Sequence, residues 1–215
     1  MSYGPELADV GDIDGDGLAD LMAGLGGVAW IFQAPLDGDR TWTDADVRID
    51  VGREDYAAWA DGGDGNGDGS VDILVGNASL AEGSGAAWVF EGPLRGPSTR
   101  DDATPRVETT WEGVRLGCGV AWADPDADGV DDVVVGADRA GGPLGEFRGE
   151  VYLFHGPVAG NLANWEADAI ISGTVDSSLG HQMLSLADTD GDGFNELAVS
   201  SAFPAVHVFE GGPGW

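Results

Sequence analysis

Short hydrophobic runs alternate with segments rich in glycine and aspartate along the whole chain. The runs are rich in Val, Ile, Phe, Trp and Tyr and are bounded by Gly and Pro, which is typical of β-strands and turns. No long window shows apolar residues at the i, i+3, i+4, i+7 spacing of an amphipathic helix, and the 37 glycines disfavour long helices. The pattern therefore predicts an all-β fold.

The strand-like runs recur in the same order in four repeats. The first run reads DLMAG from Asp20, DILVG from Asp72, DVVVG from Asp132 and ELAVS from Glu196, and the second reads GVAWIFQAPL, GAAWVFEGPL, GEVYLFHGPV and AVHVFEGGPG. A fainter strand begins near Ala45, Ala103 and Ala167, and a strand leading into the acidic segment completes the unit. Four antiparallel strands per repeat of this length predict the blades of a β-propeller, at approximately 1–51, 52–112, 113–173 and 174–215, with the last blade lacking its outer strand.

An acidic loop precedes the first run of every repeat, and its polar residues fall at fixed positions counted from its first aspartate. Position 1 is Asp12, Asp64, Asp124 and Asp188; position 3 is Asp14, Asn66, Asp126 and Asp190; position 5 is Asp16, Asp68, Asp128 and Asp192; position 9 is Asp20, Asp72, Asp132 and Glu196. Position 6 is always glycine, which permits a turn that other residues resist.

Alternating carboxylates on a tight turn repel one another unless a cation lies between them. Side-chain oxygens from positions 1, 3, 5 and 9 can form a cage of hard ligands, which the backbone carbonyl of position 7 can complete. That carbonyl belongs to Leu18, Ser70, Val130 and Phe194. Such a cage suits Ca²⁺ better than Mg²⁺, and the loops lack the His and Cys that transition metals prefer. We predict four calcium sites, the second being the weakest because Asn66 lacks a charge.

Two other interpretations of the loops fit less well. An EF-hand loop shares positions 1, 3, 5 and 6 but needs Glu at position 12, where this chain has Ala23, Val75, Val135 and Val199 within strand-like runs. A single Asp- and Gly-rich segment could be a solvated hairpin turn, but four of them stand in register with the strand pattern.

Charge and cysteine content narrow the function classes. The chain has 39 acidic and 9 basic residues, all of the latter Arg, and a formal net charge of −30, which repels nucleic acid and anionic membranes. Part of this charge, outside the loops, is also typical of salt-adapted surfaces. The single cysteine, Cys118, is expected to pack as a small hydrophobe. The chain has no long apolar run and no signal peptide after Met1, so we expect a piece of a longer protein with no membrane insertion.

Together these features resemble the FG-GAP repeats of the integrin α-subunit propeller and their bacterial relatives, over the whole of residues 1–215. The resemblance rests on the DxDxDGxxD loops, on the glycines that end the first runs (Gly24, Gly76, Gly136), and on the Trp/Tyr-x-Phe-x-x-Pro strands ending at Pro35, Pro93 and Pro157. It implies Ca²⁺ between the first and second strands of a blade, and loops on the other face that meet protein ligands.

The resemblance also implies an extracellular, secreted or cell-surface module for interaction or adhesion, and bacterial origin. No catalytic motif is evident, so an enzyme is not expected; His155, His181 and His207 are expected at the surface or in packing. An accessory domain of a larger secreted enzyme, or an excised fragment, is the alternative.

The partner could be a protein or a glycan, contacted through residues 77–85 and 137–149. Four repeats leave two end blades uncovered, which favours a homodimer that closes a ring.

Overall fold

The computed structural model describes residues 6–52, 59–141, 146–202 and 205–215. Within these ranges the chain forms four sheets whose main strands are antiparallel and follow chain order. The first sheet contains β1 (Glu6–Asp9), β2 (Leu21–Leu25), β3 (Val28–Phe32) and β4 (Val47–Asp50). The second sheet contains β5 (Trp59–Gly63), β6 (Asp72–Asn77), β7 (Ala86–Phe90) and β9 (Arg106–Glu108), and the third contains β10 (Leu116–Ala123), β11 (Asp132–Ala137), β12 (Glu150–Phe154) and β14 (Ala169–Ser172). The fourth sheet contains β15 (Met183–Ser185), β16 (Leu197–Ser201) and β17 (Ala205–Phe209).

Two short strands join neighbouring sheets, and the sequence pattern did not predict them. β8 (Ser98–Thr99) follows β7 in the chain but pairs in parallel with β4 of the first sheet. β13 (Asn161–Ala163) follows β12 and pairs in parallel with β9 of the second sheet. The second and third repeats thus each add a strand to the outer edge of the sheet before them.

Helical structure is confined to single turns in the described part of the chain. Three 3-10 turns span Trp42–Asp44, Arg100–Asp102 and Asn164–Glu166. A fourth turn, Leu80–Gly83, contains Ala81 and Glu82 with φ of 50° and 60°, so it is a left-handed bend rather than a regular helix. No helix among the described residues has the length and apolar character needed to cross a bilayer.

The register of the central strand pair is the same in every sheet. The residue directly after position 9 lies opposite the phenylalanine that ends the next strand: Leu21 opposite Phe32, Ile73 opposite Phe90, Val133 opposite Phe154 and Leu197 opposite Phe209. Because side chains alternate along a strand, a common register sends equivalent residues to the same face in each repeat. Repetition in the sequence is therefore repetition in structure.

Successive sheets pack face to face through buried apolar clusters. Ile31 and Ile49 of the first sheet pack with Trp88 of the second. A second cluster joins the second and third sheets, and a third joins the third and fourth, with Leu153 against Val199. Every residue of β6, β7, β10 and β11 is buried, so these strands of the second and third sheets form the centre of the core.

Glycine at the end of the second strand allows two backbones to meet. A Cβ placed on Gly76 would lie 2.4 Å from the carbonyl oxygen of Gly117, and one on Gly136 would lie 2.0 Å from that of Gly180. No side chain fits at such separations. The glycine that closes the hydrophobic run is thus required where one sheet approaches the first strand of the next.

The all-β prediction is confirmed, and the four antiparallel strands in each of the first three sheets, with three in the fourth, agree with the expected strand pattern, to which β8 and β13 are additions. The arrangement of these sheets as blades around an axis, and the blade limits proposed from the sequence, stay predictions.

Candidate metal centres

The aspartate at position 1 organises each acidic loop. Oδ1 of Asp12 accepts hydrogen bonds from the amides of Gly15 and Asp16 at 2.8 and 3.0 Å, and Oδ2 accepts one from Gly17 at 2.7 Å. These bonds, chiefly that from Gly17, hold the pKa of Asp12 below its ordinary value. The amides of positions 4, 5 and 6 likewise bind Asp64, those of positions 5 and 6 bind Asp124, and those of positions 4 and 6 bind Asp188. The aspartate at position 1 is therefore fixed in orientation in every loop.

Positions 3 and 5 each bind the amide two residues ahead. Oδ1 of Asp14 accepts from Asp16 at 3.1 Å, and Oδ1 of Asp16 accepts from Leu18 at 2.8 Å. These are Asx turns, in which a short side chain caps its own backbone. The same bonds recur in the other three loops, with Asn66 accepting through its amide oxygen in the second. All four loops therefore share one backbone course.

That course passes twice through left-handed conformation. Position 6 has φ between 84° and 97° in the four loops, and it is always glycine. Position 4 is also left-handed, and there the third loop has Ala127 with φ of 58° where the other loops have glycine. Glycine adopts this conformation without a Cβ clash, so position 4 of the third loop is locally strained.

Position 9 is buried where the second strand begins. Asp20, Asp72, Asp132 and Glu196 expose only 2%, 1%, 1% and 3% of their surface. Oδ1 of each aspartate accepts from the amide that follows the third strand: Ala34 for Asp20 at 2.8 Å, Gly92 for Asp72 at 2.8 Å and Gly156 for Asp132 at 2.9 Å. The longer Glu196 instead accepts from Thr189 of its own loop at 2.9 Å. In the first three loops position 9 thus connects the loop to the second and third strands.

Burying these carboxylates without a cation is unfavourable. Burial raises the pKa of Asp20, and it raises the pKa of Asp72 and of Asp132 to about 6, with the neighbouring loop carboxylates adding to each effect. Oδ2 of Asp72 is buried without a hydrogen-bond partner. The Gly65 amide lowers the pKa of Asp72 slightly, but it does not form a hydrogen bond with this oxygen. A buried oxygen in this state fits a bound cation.

The loops bring the predicted ligands together to different degrees. Ligand oxygens lie within 4.8 Å of one another in three groups: Asp12, Asp14 and Asp20; Asp124, Asp126 and Asp128; and Asp188, Asp190, Asp192 and Glu196. The second loop shares the hydrogen bonds made by positions 1, 3 and 5, but its position 3 is Asn66, whose side chain is an uncharged amide. Acidic clusters able to hold a metal ion are present, whereas the contribution of the position-7 carbonyls of Leu18, Ser70, Val130 and Phe194 stays a prediction.

Sequence reasoning missed His155 as a neighbour of the third loop. The residue directly follows β12, and its Nδ1 lies 3.1 Å from Oδ2 of Asp132 and 3.7 Å from Oδ2 of Asp126. Its Nε2 lies 2.9 Å from the backbone oxygen of Trp215. Burial lowers the pKa of His155, but these oxygen partners outweigh burial and raise the pKa overall. The other repeats have Gln or Glu at this place, so no repeated pattern indicated it.

A second missed residue, Asp131, connects two loops. Its Oδ2 accepts from the amide of Asp64 at 2.8 Å, and its own amide donates to the carbonyl of Asp64 at 3.0 Å. Nearby, Oδ2 of Asp61 accepts from the amide of Trp122 at 3.0 Å. Burial raises the pKa of Asp61 and of Asp131. The first residue of the second loop is therefore held by the third loop.

A further polar group lies at the other end of the third sheet. Cys118 is fully buried, as expected, and its Sγ accepts from the amide of Asp138 at 3.2 Å. Oδ2 of Asp138 forms an ion pair with Arg115 at 2.8 Å and lies 3.6 Å from Nδ1 of His181. Burial raises the pKa of the Cys118 thiol, which keeps it protonated and unreactive.

Comparison with known proteins gives partial matches. No family model matches the chain. It is 35% identical over 89 residues, 41% of its length, to phosphatidylinositol-glycan-specific phospholipase D of Rattus norvegicus. It is 31% identical over 110 residues (46% of its length) to integrin alpha-5 of Xenopus laevis, and 31% identical over 114 residues (49%) to integrin alpha-6 of Gallus gallus.

About half of the chain is similar to integrin alpha subunits. The identity over this part is about 30%. The chain spans only 10% of the length of each of these relatives, so the activities and partners of the whole proteins are a matter for proposal.

Proposed function

We propose that the chain is a calcium-binding, integrin-like β-propeller that serves as an extracellular interaction or adhesion module. The observation that carries the proposal is the buried carboxylate at position 9, which recurs at one place in all four sheets and exposes no more than 3% of its surface. A charge in this position needs a compensating cation. The integrin-like relationship supports the interaction role.

Calcium is the ion that the donor set favours. The predicted ligands are carboxylate, amide and carbonyl oxygens, which are hard donors, and a loop with ligands at alternate positions gives the flexible, high-coordination geometry that Ca²⁺ accepts. Four divalent ions would offset part of the formal charge of −30 and leave the protein strongly acidic. Asp20 and its equivalents would couple each ion to the second strand.

Calcium removal tests this proposal. Extracellular calcium sites have dissociation constants of about 10⁻⁴–10⁻³ M, and a tenfold excess of free ion stabilises the folded state by about 1.4 kcal/mol per site. We expect a chelator to lower the melting temperature by many degrees, and added Ca²⁺, but not equimolar Mg²⁺, to restore it. Differential scanning calorimetry measures the shift. An unchanged melting temperature after complete chelation would contradict the proposal.

Self-association is proposed from exposed apolar residues on the outermost sheets. Leu184, Val206 and Val208 of the fourth sheet expose 60%, 68% and 54% of their surface, and Leu7 of the first sheet exposes 68%. A second copy that covered these faces would close a ring. Sedimentation velocity, with and without Ca²⁺, should give a dimer that Val206→Asp disrupts and that Leu36→Asp, at an exposed residue outside the strands, leaves intact. A compact wild-type monomer would refute the dimer.

The ligand, a protein or a glycan, is proposed to contact the connections between the second and third strands. Residues 77–85 form one of them; residues 137–149 form the other, of which 142–145 lie outside the described part of the chain. In the second connection the Arg139 guanidinium lies 5.3 Å from the ring centre of Phe147. This cation–π contact orients one of the nine arginines of the chain. Replacing Arg139 with Ala should weaken ligand capture without changing calcium binding.

A second candidate is a non-catalytic accessory domain of a larger secreted enzyme. The specific observation in its favour is the 35% identity to phosphatidylinositol-glycan-specific phospholipase D. We propose that the chain itself has no catalytic activity. Hydrolysis of a glycosylphosphatidylinositol by the purified chain would overturn that proposal, whereas calcium-dependent retention on a membrane or glycan surface without hydrolysis would support an accessory role.

A further inference from the structure

The third loop lacks a hydrogen bond that supports position 9 in the first and fourth loops. In the first loop the amide of Ile13, at position 2, donates to Oδ2 of Asp20 at 3.0 Å. In the fourth loop the amide of Thr189, at the same position, donates to Oε2 of Glu196 at 2.9 Å. Position 2 of the third loop is Pro125, and proline has no N–H to donate.

The His155 side chain occupies the place of this missing donor. Oδ1 of Asp132 already accepts from Gly156, and Nδ1 of His155 lies 3.1 Å from Oδ2. An ionised carboxylate only accepts, so the ring nitrogen is the donor. Both oxygens of Asp132 are then held, as both oxygens of Asp20 are in the first loop. The donor comes from the end of the third strand rather than from the loop.

The imidazole is fixed from its other side by the last turn of the chain. Nε2 of His155 lies 2.9 Å from the backbone oxygen of Trp215, which also only accepts. The same turn binds the third loop directly, because the amide of Gly212 donates to the carbonyl of Pro125 at 2.7 Å. The ring is therefore held at both nitrogens between the third loop and the fourth repeat.

We propose that His155 is the positioning residue of the third cation site, orienting Asp132 in place of the amide that Pro125 cannot supply. The inference rests on the proposed calcium function and deepens it for one site. A partner that orients a metal ligand typically contributes 10- to 100-fold to metal affinity. Loss of the imidazole should therefore weaken one of the four sites by about tenfold or more and leave the others unchanged.

Two replacements of His155 separate its two contacts. An asparagine amide can place a donor near the position of Nδ1, and a glutamine amide can place one near the position of Nε2. His155→Asn should keep the affinity of the third site, whereas His155→Gln and His155→Ala should weaken it. The experiment titrates the full chain with Ca²⁺, counts bound ions by native mass spectrometry, and measures affinities by calorimetry.

Restoring the backbone donor provides the decisive rescue. The first and fourth loops bind position 9 through the amide of position 2, and Pro125→Ala supplies an amide at that position with a small side chain. We expect Pro125→Ala to restore calcium affinity in the His155→Ala variant. Gln33→Ala is the matched control, because Gln33 has the same place in the first repeat, where the Ile13 amide already binds Asp20.

The possible outcomes are distinct. A wild-type chain that binds no Ca²⁺ refutes the proposed function. A wild type with four ions and a His155→Ala variant with the same count and affinities overturns only the role of His155. Tighter binding by His155→Ala would also overturn it, since the ring would then compete with the ion. Circular dichroism in chelator verifies that each variant folds, and His155→Asn with the Pro125→Ala rescue keeps the test valid if His155→Ala does not.

Discussion

Replacing Asp72 with asparagine should have opposite effects with and without calcium. In the cation-free protein, burial above all raises the pKa of Asp72 from 3.8 to about 6. Because the folded state binds this proton more tightly than the unfolded chain, protonation stabilises the fold below about pH 4, and that stabilisation is lost as the pH rises through 6. At pH 7.5 the ionised carboxylate therefore destabilises the apo fold. Asparagine removes the charge and keeps an acceptor for Gly92.

The expected size follows from this pKa. The rise in the pKa of Asp72 from 3.8 to about 6 corresponds to about 3 kcal/mol of destabilisation of the ionised fold. Relaxation and solvent screening reduce this to about 1–2 kcal/mol. For a chain of this length each kcal/mol moves the melting temperature by about 2–4 °C, so apo Asp72→Asn should melt about 2–8 °C above apo wild type at pH 7.5. With saturating Ca²⁺ the order should reverse, because the variant lacks a ligand charge.

Thermal melts at pH 7.5 and pH 4, in chelator and in Ca²⁺, measure the four combinations. The apo difference should disappear at pH 4, where Asp72 is largely protonated. Asp68→Asn is the control: backbone hydrogen bonding, chiefly from Ser70, lowers the pKa of this exposed carboxylate, so its removal should not raise the apo melting temperature. If apo Asp72→Asn melts below apo wild type at pH 7.5, the buried charge is not the destabilising element and the reasoning is wrong.

Three further substitutions test single features. Asn66→Asp completes the carboxylate set of the second loop and should raise the affinity of the weakest calcium site, measured by calorimetry; unchanged stepwise affinities would argue against Asn66 as its cause. Ala127→Gly relieves a φ of 58° and should stabilise the protein by up to about 1 kcal/mol in chemical denaturation, and a loss of stability would contradict strain at that residue. Arg115→Ala removes the 2.8 Å ion pair to the buried Asp138, with His181 still 3.6 Å from the carboxylate, and should cost about 3–5 kcal/mol, a large fall in melting temperature; a fall of under a degree would show that this ion pair does not stabilise the fold.

The strand pattern and the acidic loops could be predicted from the sequence because the chain carries four copies of one unit. Each copy confirms the assignment of the others, so even the short fourth strands, such as β9 with three residues, were found at a fixed distance from a repeated alanine. The register of the loops supplied the candidate ligands in the same way. Local propensity alone would not have distinguished one such loop from a solvated turn.

Features that occur in only one repeat could not be predicted in this way. His155, Asp131 and Asp138 have no counterpart in the other repeats, and their roles depend on which residues of the next sheet face them. The parallel strands β8 and β13 have two and three residues, too few for an alternating pattern, and they form because the preceding sheet offers an unpaired edge. Contacts between repeats can be identified only from a structure, whereas contacts within a repeat produce a periodic pattern in the sequence.

The contacts between repeats also determine how one loop influences another. Where the first two loops meet, the Val71 side chain lies close to Gly11, a nonpolar contact. Between the second and third loops, Asp131 binds the backbone of Asp64 at two points and directly precedes Asp132, a predicted ligand. We therefore expect an ion that orders Asp132 to restrain also the residue that holds the first predicted ligand of the second loop. The site predicted to be weakest would then be supported by its neighbour as well as by its own ligands.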